Sequence, residues 1–150
     1  MQALTESGRA ALGVDMSSVA VQLSMARGGL ALHRRIDGPL PAEGRWGTAL
    51  LMDGNVGLGG DVAALLVRCM QLVVHGGLII CEVDRIPERH EVFQVVLRTQ
   101  RTASRPLVWS RLGATALMQI AKSLDLLLVE EWTSGDRAFV ALRFMNGLRL

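Results

Sequence analysis

The sequence predicts an α/β fold in which a mostly parallel sheet carries helices on both faces and ends in an antiparallel strand pair. Short apolar runs alternate with amphipathic helical stretches over most of the chain, which is typical of strand–helix–strand units. The last two apolar runs, residues 126–132 and 137–144, are so close together that they must be antiparallel. The chain has 150 residues, 50% of them hydrophobic, and shows no repeat and no linker, so we expect a single domain over residues 1–150.

The N-terminal part of the chain contains two predicted strands that each end at an aspartate. The expected elements are the end of a helix at residues 1–8, a strand at 10–14, a helix between 17 and 28, and a strand at 30–36. Ser17 suits the N-cap of the second helix, and Gly28 suits its C-terminus. Asp15 and Asp37 follow the two strands directly, so both carboxyl ends carry a carboxylate.

The middle of the chain repeats this alternation. A strand at residues 49–53 is followed by a loop, by a helix that Asp61 can cap, and by a buried strand at 78–83. Gly76 and Gly77 are expected to end the helix. Its apolar face is formed by residues at helical spacing: Val62, Leu65, Leu66, Cys69 and Val73.

The C-terminal third is predicted to add two antiparallel pairs with a helix between them. Residues 91–98 and 105–109 form a hairpin around a polar turn, and residues 126–132 and 137–144 form the closing pair. The helix at residues 111–123 buries an apolar residue at every fourth position: Leu112, Ala116, Ile120 and Leu124.

The glycine-rich loop after residue 53 is the strongest candidate for a binding site. Asp53 and Asn55 stand among glycines at the carboxyl end of a buried strand, where open α/β sheets bind their ligands. An ordinary strand-to-helix turn is the alternative interpretation.

Composition excludes several classes of function. A net charge of +2 is too small to predict a nucleic acid or an anionic membrane as partner. Cys69 and Cys81 fit neither a metal site nor a disulfide scaffold, so we expect reduced core cysteines, a cytoplasmic protein and no metal. The longest apolar region, residues 62–83, is interrupted by polar residues and is not expected to span a membrane, and the N-terminus does not resemble a signal peptide.

Four motifs follow one another along the chain in a recognisable order: ALGVDMS, IDGPLP, RWGTALLMDGNVGLGGD and HGGLIICEVD, before a helix and two antiparallel strands. A chain with this order resembles the class I S-adenosylmethionine-dependent methyltransferases. It is similar to the bacterial small-molecule members whose fourth strand ends in a DGN-x-G-x-GGD pattern. The resemblance implies a three-layer Rossmann-like sheet, S-adenosylmethionine as cofactor and a small-molecule methyl acceptor.

The resemblance assigns cofactor contacts to the first two strand ends. Asp15 matches the acidic residue that accepts hydrogen bonds from the ribose hydroxyls, and Met16 beside it is included in the cofactor site. Asp37 matches the position that contacts the adenine amino group. The alternatives are that Asp15 only starts the following helix and that Asp37 serves a turn.

The resemblance places the reacting end of the cofactor at the third strand end. Asp53, Gly54 and Asn55 match the motif beside the transferable methyl group, where oxygen atoms face the cationic sulfonium and Asn55 orients the acceptor. A general base is needed only for a protonated acceptor, and His90 is the candidate because its unperturbed pKa is near neutral. A surface histidine without a catalytic role is the alternative.

The family's first strand, with its GxGxG loop, would lie before residue 1. That strand lies between the second and fourth strands of the family's sheet, so its absence would leave two buried edges without partners. We expect either an N-terminally truncated version of a longer enzyme or a sheet in which residues 10–14 close up against residues 49–53.

Two functions of different classes follow from the sequence. One is a methyltransferase by descent that acts on a small molecule, without nucleic acid or membrane partners and with a homodimer as an option. The other is a non-catalytic remnant that serves as a binding or assembly module. A dehydrogenase fragment is disfavoured, because a dinucleotide fold does not require the closing antiparallel pair.

Overall fold

The chain folds into two compact units, Met1–Pro41 and Ala42–Leu150. The structure is a computed structural model that describes residues 2–96 and 104–145. The first unit contains helices α1 (Gln2–Glu6) and α2 (Ser18–Ala26) and strands β1 (Leu12–Asp15) and β2 (Leu30–His33), and β1 and β2 pair in parallel.

The predicted capping of the first unit is confirmed. The Ser17 hydroxyl accepts a hydrogen bond of 3.2 Å from the backbone N–H of Ala20, and Gly28 has a φ of 79° at the other end of α2. β2 is three residues shorter than residues 30–36, because the chain turns after it: the N–H of Gly38 donates to the carbonyl of Arg35 at 3.2 Å.

In its described residues, 42–96 and 104–145, the second unit contains six strands and two α-helices. Its described elements are β3 (Trp46–Leu51), a 3-10 helix (Asn55–Gly57), α3 (Val62–Leu72), β4 (Val73–Val83), β5 (His90–Val95), β6 (Leu107–Leu112), α4 (Ala114–Ser123), β7 (Leu126–Ser134) and β8 (Arg137–Phe144). Four strands form one sheet in the order β3-β4-β8-β7. As predicted, β3, β4 and β7 point the same way, and β8 runs antiparallel to both β4 and β7, so the sheet is mixed. The reason is that the closing antiparallel pair places β8 directly beside β4.

One sequence expectation concerned the strand that pairs with β3 at the edge of this sheet. Among residues 2–96 and 104–145, β3 pairs only with β4 and β1 pairs only with β2. The expected pairing of residues 10–14 with residues 49–53 is therefore not found.

The boundary between α3 and β4 differs from the prediction. Asp61 caps α3 as expected, through a 2.9 Å hydrogen bond from the N–H of Ala64. However, α3 ends at Leu72, and Gly76 and Gly77 lie inside β4 rather than at a helix end. Val73 already has extended backbone angles, because this β-branched residue pairs with β3 at the start of the longer strand.

The predicted hairpin before α4 is confirmed as the antiparallel pair β5 and β6. β6 continues to Leu112, so α4 begins at Ala114, three residues later than predicted. The chain turns at Gly113, where a Cβ atom would lie 1.9 Å from the carbonyl oxygen of Ile86, too close for any other residue. The predicted strand end at residues 97–98 lies outside the described residues.

The core of the second unit lies between its sheet and its helices. α3 packs on β3 and β4, α4 packs on β7 and β8, and the two helices also contact each other, so both lie on one face of the sheet. The predicted placement of helices on both faces therefore does not apply within this unit. The largest fully buried side chains come from both layers and include Leu66, Ile79, Leu117 and Leu142. Cys69 and Cys81 are free and buried, as expected. Among the helices of the described residues, none is long and apolar enough to cross a membrane.

Candidate functional site

The loop after β3 adopts a backbone conformation that its sequence allows. Asp53 has a φ of 57° and Gly54 a φ of 75°, so two consecutive residues are left-handed before the 3-10 helix begins at Asn55. Glycine adopts this region freely, and aspartate is among the few other residues that tolerate it. The chain therefore turns sharply at the carboxyl end of β3 and leaves the Asp53 side chain 82% exposed.

Strand β6 packs tightly against this loop. A Cβ atom on Gly57 would lie 1.7 Å from the carbonyl oxygen of Ser110, so only glycine permits the observed approach. The buried Ser110 hydroxyl donates a hydrogen bond of 2.7 Å to the carbonyl of Gly60. The glycines of the motif thus serve partly to bring β6 against the loop.

A cavity of about 310 Å³ lies between the loop, the carboxyl end of β4 and the β5–β6 pair. This volume is at the lower end of small-molecule sites. The residues that line it come from four separate parts of the sequence: Asp53, Gly54, Val56, Glu82, Val83, Asp84, Phe93, Trp109, Ser110, Arg111 and Leu112.

Two aromatic residues form one wall of the cavity. Phe93 and Trp109 are direct cross-strand partners on β5 and β6. The indole N–H of Trp109 donates a hydrogen bond of 3.1 Å to the carbonyl of Gly54, and the guanidinium of Arg111 lies 5.4 Å from the centre of the Phe93 ring. The wall is therefore attached to the glycine loop and is apolar on the side of the rings.

Glu82 and Asp53 line the cavity and form a hydrogen-bonded cluster with Arg137. Arg137 donates to both Glu82 oxygens, and its Nη2 also lies 3.0 Å from Oδ1 of Asp53. The backbone N–H of Asp53 donates to Glu82 Oε2 at 2.6 Å. The hydrogen bond from Arg137 is the main reason why the pKa of Glu82 is lowered, so this carboxylate is ionised at neutral pH.

Asp84, at the end of β4, is held by a second group of donors. It accepts hydrogen bonds from the N–H of Ile86 at 2.9 Å and from Arg89 at 2.8 Å, and Arg111 lies 3.8 Å away. Burial alone raises the pKa of Asp84, but the Ile86 N–H, Arg89 and Arg111 together lower it below its ordinary value. The cavity is thus lined by carboxylates that already have cationic partners.

In the first unit, the predicted cofactor residues differ in how many of their polar atoms already have hydrogen-bond partners. Asp15 is exposed, and its Oδ1 accepts a hydrogen bond of 2.7 Å from the N–H of Ser17. Both oxygens of Asp37 accept hydrogen bonds from Arg35, at 2.8 and 2.7 Å. Met16 is exposed, and its sulfur lies 4.0 Å from Nη1 of Arg35. A cavity of about 380 Å³ in this unit is lined by Leu32, Arg34 and residues 39–41, and none of the predicted cofactor residues lines it.

The second unit brings some predicted residues together and leaves others apart. Asp53 and Gly54 line the cavity, whereas Asn55 is exposed at the start of the 3-10 helix and His90 is exposed at the start of β5, both outside the lining. No group of three metal-ligating side chains occurs in residues 2–96 and 104–145.

Sequence reasoning missed most residues of the site, among them Glu82, Asp84, Trp109 and Arg137. Glu82 and Asp84 could have been found, because they end a buried strand beside the one that carries the motif. Trp109 and Arg137 carry no such signal, since they reach the loop from 55 and 84 residues away in sequence.

The comparisons with known proteins identify the fold. No family model and no curated protein sequence matches the chain. Solved S-adenosylmethionine-dependent methyltransferases superimpose on nearly the whole chain, so it has the Rossmann-like fold of class I S-adenosylmethionine-dependent methyltransferases, as the resemblance predicted.

Three structures illustrate the similarity. The S-adenosylmethionine-dependent methyltransferase of Bacteroides fragilis, in complex with S-adenosylhomocysteine, has a TM-score of 0.79 at 17% identity over 96% of this chain and 67% of its own. The 1,6-didemethyltoxoflavin-N1-methyltransferase of Burkholderia thailandensis, with 1,6-didemethyltoxoflavin and S-adenosylhomocysteine bound, has a TM-score of 0.70 at 13% identity over 96% of this chain and 65% of its own. The glycopeptide N-methyltransferase MtfA, complexed with S-adenosylhomocysteine, has a TM-score of 0.67 at 9% identity over 97% of this chain and 76% of its own. The chain thus spans about two thirds of the length of the first two structures.

Proposed function

We propose that this protein is an S-adenosylmethionine-dependent methyltransferase that acts on a small-molecule acceptor. The observation that carries the proposal is the position of Asp53 and Gly54, which follow β3 and line a cavity at the carboxyl ends of β3 and β4. Open α/β sheets bind their ligands at this edge. Solved proteins with this fold hold S-adenosylhomocysteine, the product of methyl donation.

In the first unit, we assign the adenosine contacts to Asp15, Met16 and Asp37. Among the described residues, nothing donates to Oδ2 of Asp15, so this oxygen is open to a ribose hydroxyl while Oδ1 holds Ser17. Asp37 would have to share its oxygens with Arg35 in order to accept from an adenine amino group.

In the second unit, we assign the contacts near the transferable methyl group to Asp53, Gly54 and Asn55. When bound, S-adenosylmethionine supplies a methyl group on a cationic sulfonium, which is already a strong electrophile. The protein therefore mainly aligns the reactants and excludes water. The exposed carboxylate of Asp53 favours a positive charge near it, and Asn55 can orient the acceptor with its amide.

The cavity is the proposed acceptor site. The aromatic side chains of Phe93 and Trp109 line the cavity, which favours an acceptor with an apolar or aromatic part, and the volume suits a small molecule. His90 lies outside the cavity lining, and its role as a general base stays a prediction.

Calorimetric titration of the whole chain with S-adenosylhomocysteine and S-adenosylmethionine tests the proposal. We expect binding of both ligands by the unmodified protein. Asp53→Asn keeps a residue that tolerates a positive φ and removes the charge. It should weaken S-adenosylmethionine binding about fivefold more than S-adenosylhomocysteine binding, because a charge pair a few ångströms apart in water is worth on the order of 1 kcal/mol.

Asp125→Asn is the matched control. Asp125 is also an exposed aspartate with a positive φ, 55°, but it lies in the turn between α4 and β7. We expect it to leave both affinities unchanged. An absence of binding heat at millimolar ligand would contradict the proposed function, and equal effects of Asp53→Asn on the two ligands would contradict the role of Asp53.

A further inference from the structure

We propose that Arg137 is a positioning residue that holds the Asp53 loop in its binding conformation, both directly and through Glu82. The inference rests on the proposed function for what the loop binds, but not for the geometry of the loop. Arg137 begins β8, which is far from the glycine motif in sequence. Nothing in the motif itself indicates that this strand supports it.

Arg137 reaches both partners with one edge of its guanidinium, through Nε and Nη2. Its Nε donates to Glu82 Oε1 at 2.8 Å, and its Nη2 contacts both Glu82 Oε2 and, at 3.0 Å, Oδ1 of Asp53. Glu82 Oε2 also accepts the backbone N–H of Asp53 at 2.6 Å. Asp53 is therefore held at two points. Its side chain is bound by Arg137 itself, and its backbone N–H is bound by Glu82, which Arg137 holds.

The position of Arg137 is itself set by aromatic packing. Phe139 lies two residues further along β8, on the same face, and is the direct cross-strand partner of Glu82 on β4. The guanidinium of Arg137 lies 5.4 Å from the centre of the Phe139 ring, and Phe139 stacks on Trp132 of β7 with ring centres 5.2 Å apart. The Phe139 ring thus contacts one face of the guanidinium and holds it in position without a bound ligand.

The cluster explains how a left-handed aspartate is kept in place. Asp53 has a φ of 57°, which aspartate tolerates better than most residues but which still costs free energy, so contacts from its surroundings help to hold it. Glu82 supplies such a contact, but its side chain is only 15% exposed, so its carboxylate needs a cationic partner. Arg137 provides this partner and leaves Oδ2 of Asp53 open, since nothing in the described part of the chain donates to it.

Amide hydrogen exchange tests the geometry without any ligand. Replacing Arg137 with methionine (R137M) should speed exchange of the Asp53 amide at least tenfold. The reason is that Glu82 loses the partner that holds its carboxylate against the Asp53 N–H, so this hydrogen bond to a charged group opens more often. Amides in the middle of α3 should keep their protection. R137K should restore part of the protection, since lysine keeps the charge but not the two-pronged geometry.

Calorimetry with S-adenosylmethionine tests the consequence for binding. R137M should lower the affinity about tenfold, and combining it with Asp53→Asn should lower it by less than the product of the two single effects, because both changes act on one loop. R143M is the matched control, as Arg143 lies on the same strand away from the cavity and should give the unmodified affinity and exchange rates.

Each outcome decides one claim. An unchanged Asp53 exchange rate in R137M would overturn the positioning role, whatever the protein binds. Faster exchange with strictly multiplicative binding effects would overturn the claim that Arg137 affects binding through the Asp53 loop, because the two residues would then contribute to the affinity independently. An absence of binding by the unmodified protein would overturn the proposed function alone.

Discussion

The indole nitrogen of Trp109 donates a hydrogen bond of 3.1 Å to the carbonyl oxygen of Gly54, 55 residues earlier in the chain. This bond joins the β5–β6 pair to the left-handed turn after β3. The aromatic wall of the cavity and the glycine loop are therefore one connected structure rather than two neighbouring features.

Trp109→Phe should lower the free energy of unfolding by about 1 kcal/mol, because it removes this hydrogen bond from a partly buried carbonyl but keeps an aromatic ring. Guanidinium denaturation measures the change. Trp132→Phe is the control, since Trp132 stacks on Phe139 and phenylalanine can preserve the stack. Equal losses in the two variants would show that the ring, not the hydrogen bond, matters at Trp109.

Gly57→Ala should lower the free energy of unfolding by at least about 2 kcal/mol, because overpacking of this kind forces the backbone to move. The new Cβ atom would lie 1.7 Å from the carbonyl oxygen of Ser110. Gly47→Ala in β3 is the control, since its Cβ atom would meet no atom within 4 Å. We expect that variant to change stability by less than about 0.5 kcal/mol, as is usual for surface positions. Denaturation midpoints that coincide would contradict the close approach of β6.

Acidification should destabilise the protein through Glu82. The hydrogen bond from Arg137 lowers the pKa of Glu82 in the folded state below its ordinary value of 4.5. Its contribution to stability is therefore present above about pH 4.5 and is lost as the pH falls through the lower, folded-state pKa. Denaturation of the unmodified protein between pH 3 and pH 7 should show this loss.

Glu82→Gln should be less stable at neutral pH but show a smaller loss on acidification. Part of the dependence should remain, because the pKa of Asp84 is lowered as well. Parallel pH profiles for the two proteins would contradict the assigned role of Glu82. Asp53 and Arg137 are the charged groups that face this carboxylate.

Neither cysteine should react with a thiol reagent in the folded protein at pH 8. Burial raises the pKa of Cys69 to about 12 and raises that of Cys81 as well, so both stay protonated and inaccessible. Denaturation should release two reactive thiols, which a colorimetric assay counts. Rapid reaction under native conditions would show that the layer between α3 and β4 opens more readily than its packing indicates.

Much of the fold could be predicted from local patterns. Apolar periodicity indicated the elements, and Ser17 and Asp61 marked two helix starts correctly, because capping depends on residues close in sequence. The errors lie where local signals conflict with tertiary pairing. Gly76 and Gly77 suggested a helix end, but strand pairing with β3 extends β4 back to Val73.

The sequence by itself determined the glycine-rich turn after β3, the position of that turn at the carboxyl end of the strand, and the antiparallel closing pair. Each of these follows from short-range backbone preferences or from loop length. The tertiary structure alone decided the mixed sheet order and brought Glu82, Trp109 and Arg137 to the loop. The physical reason is that a hydrogen bond between residues so distant in sequence exists only once strand register has been set by the packing of the whole sheet.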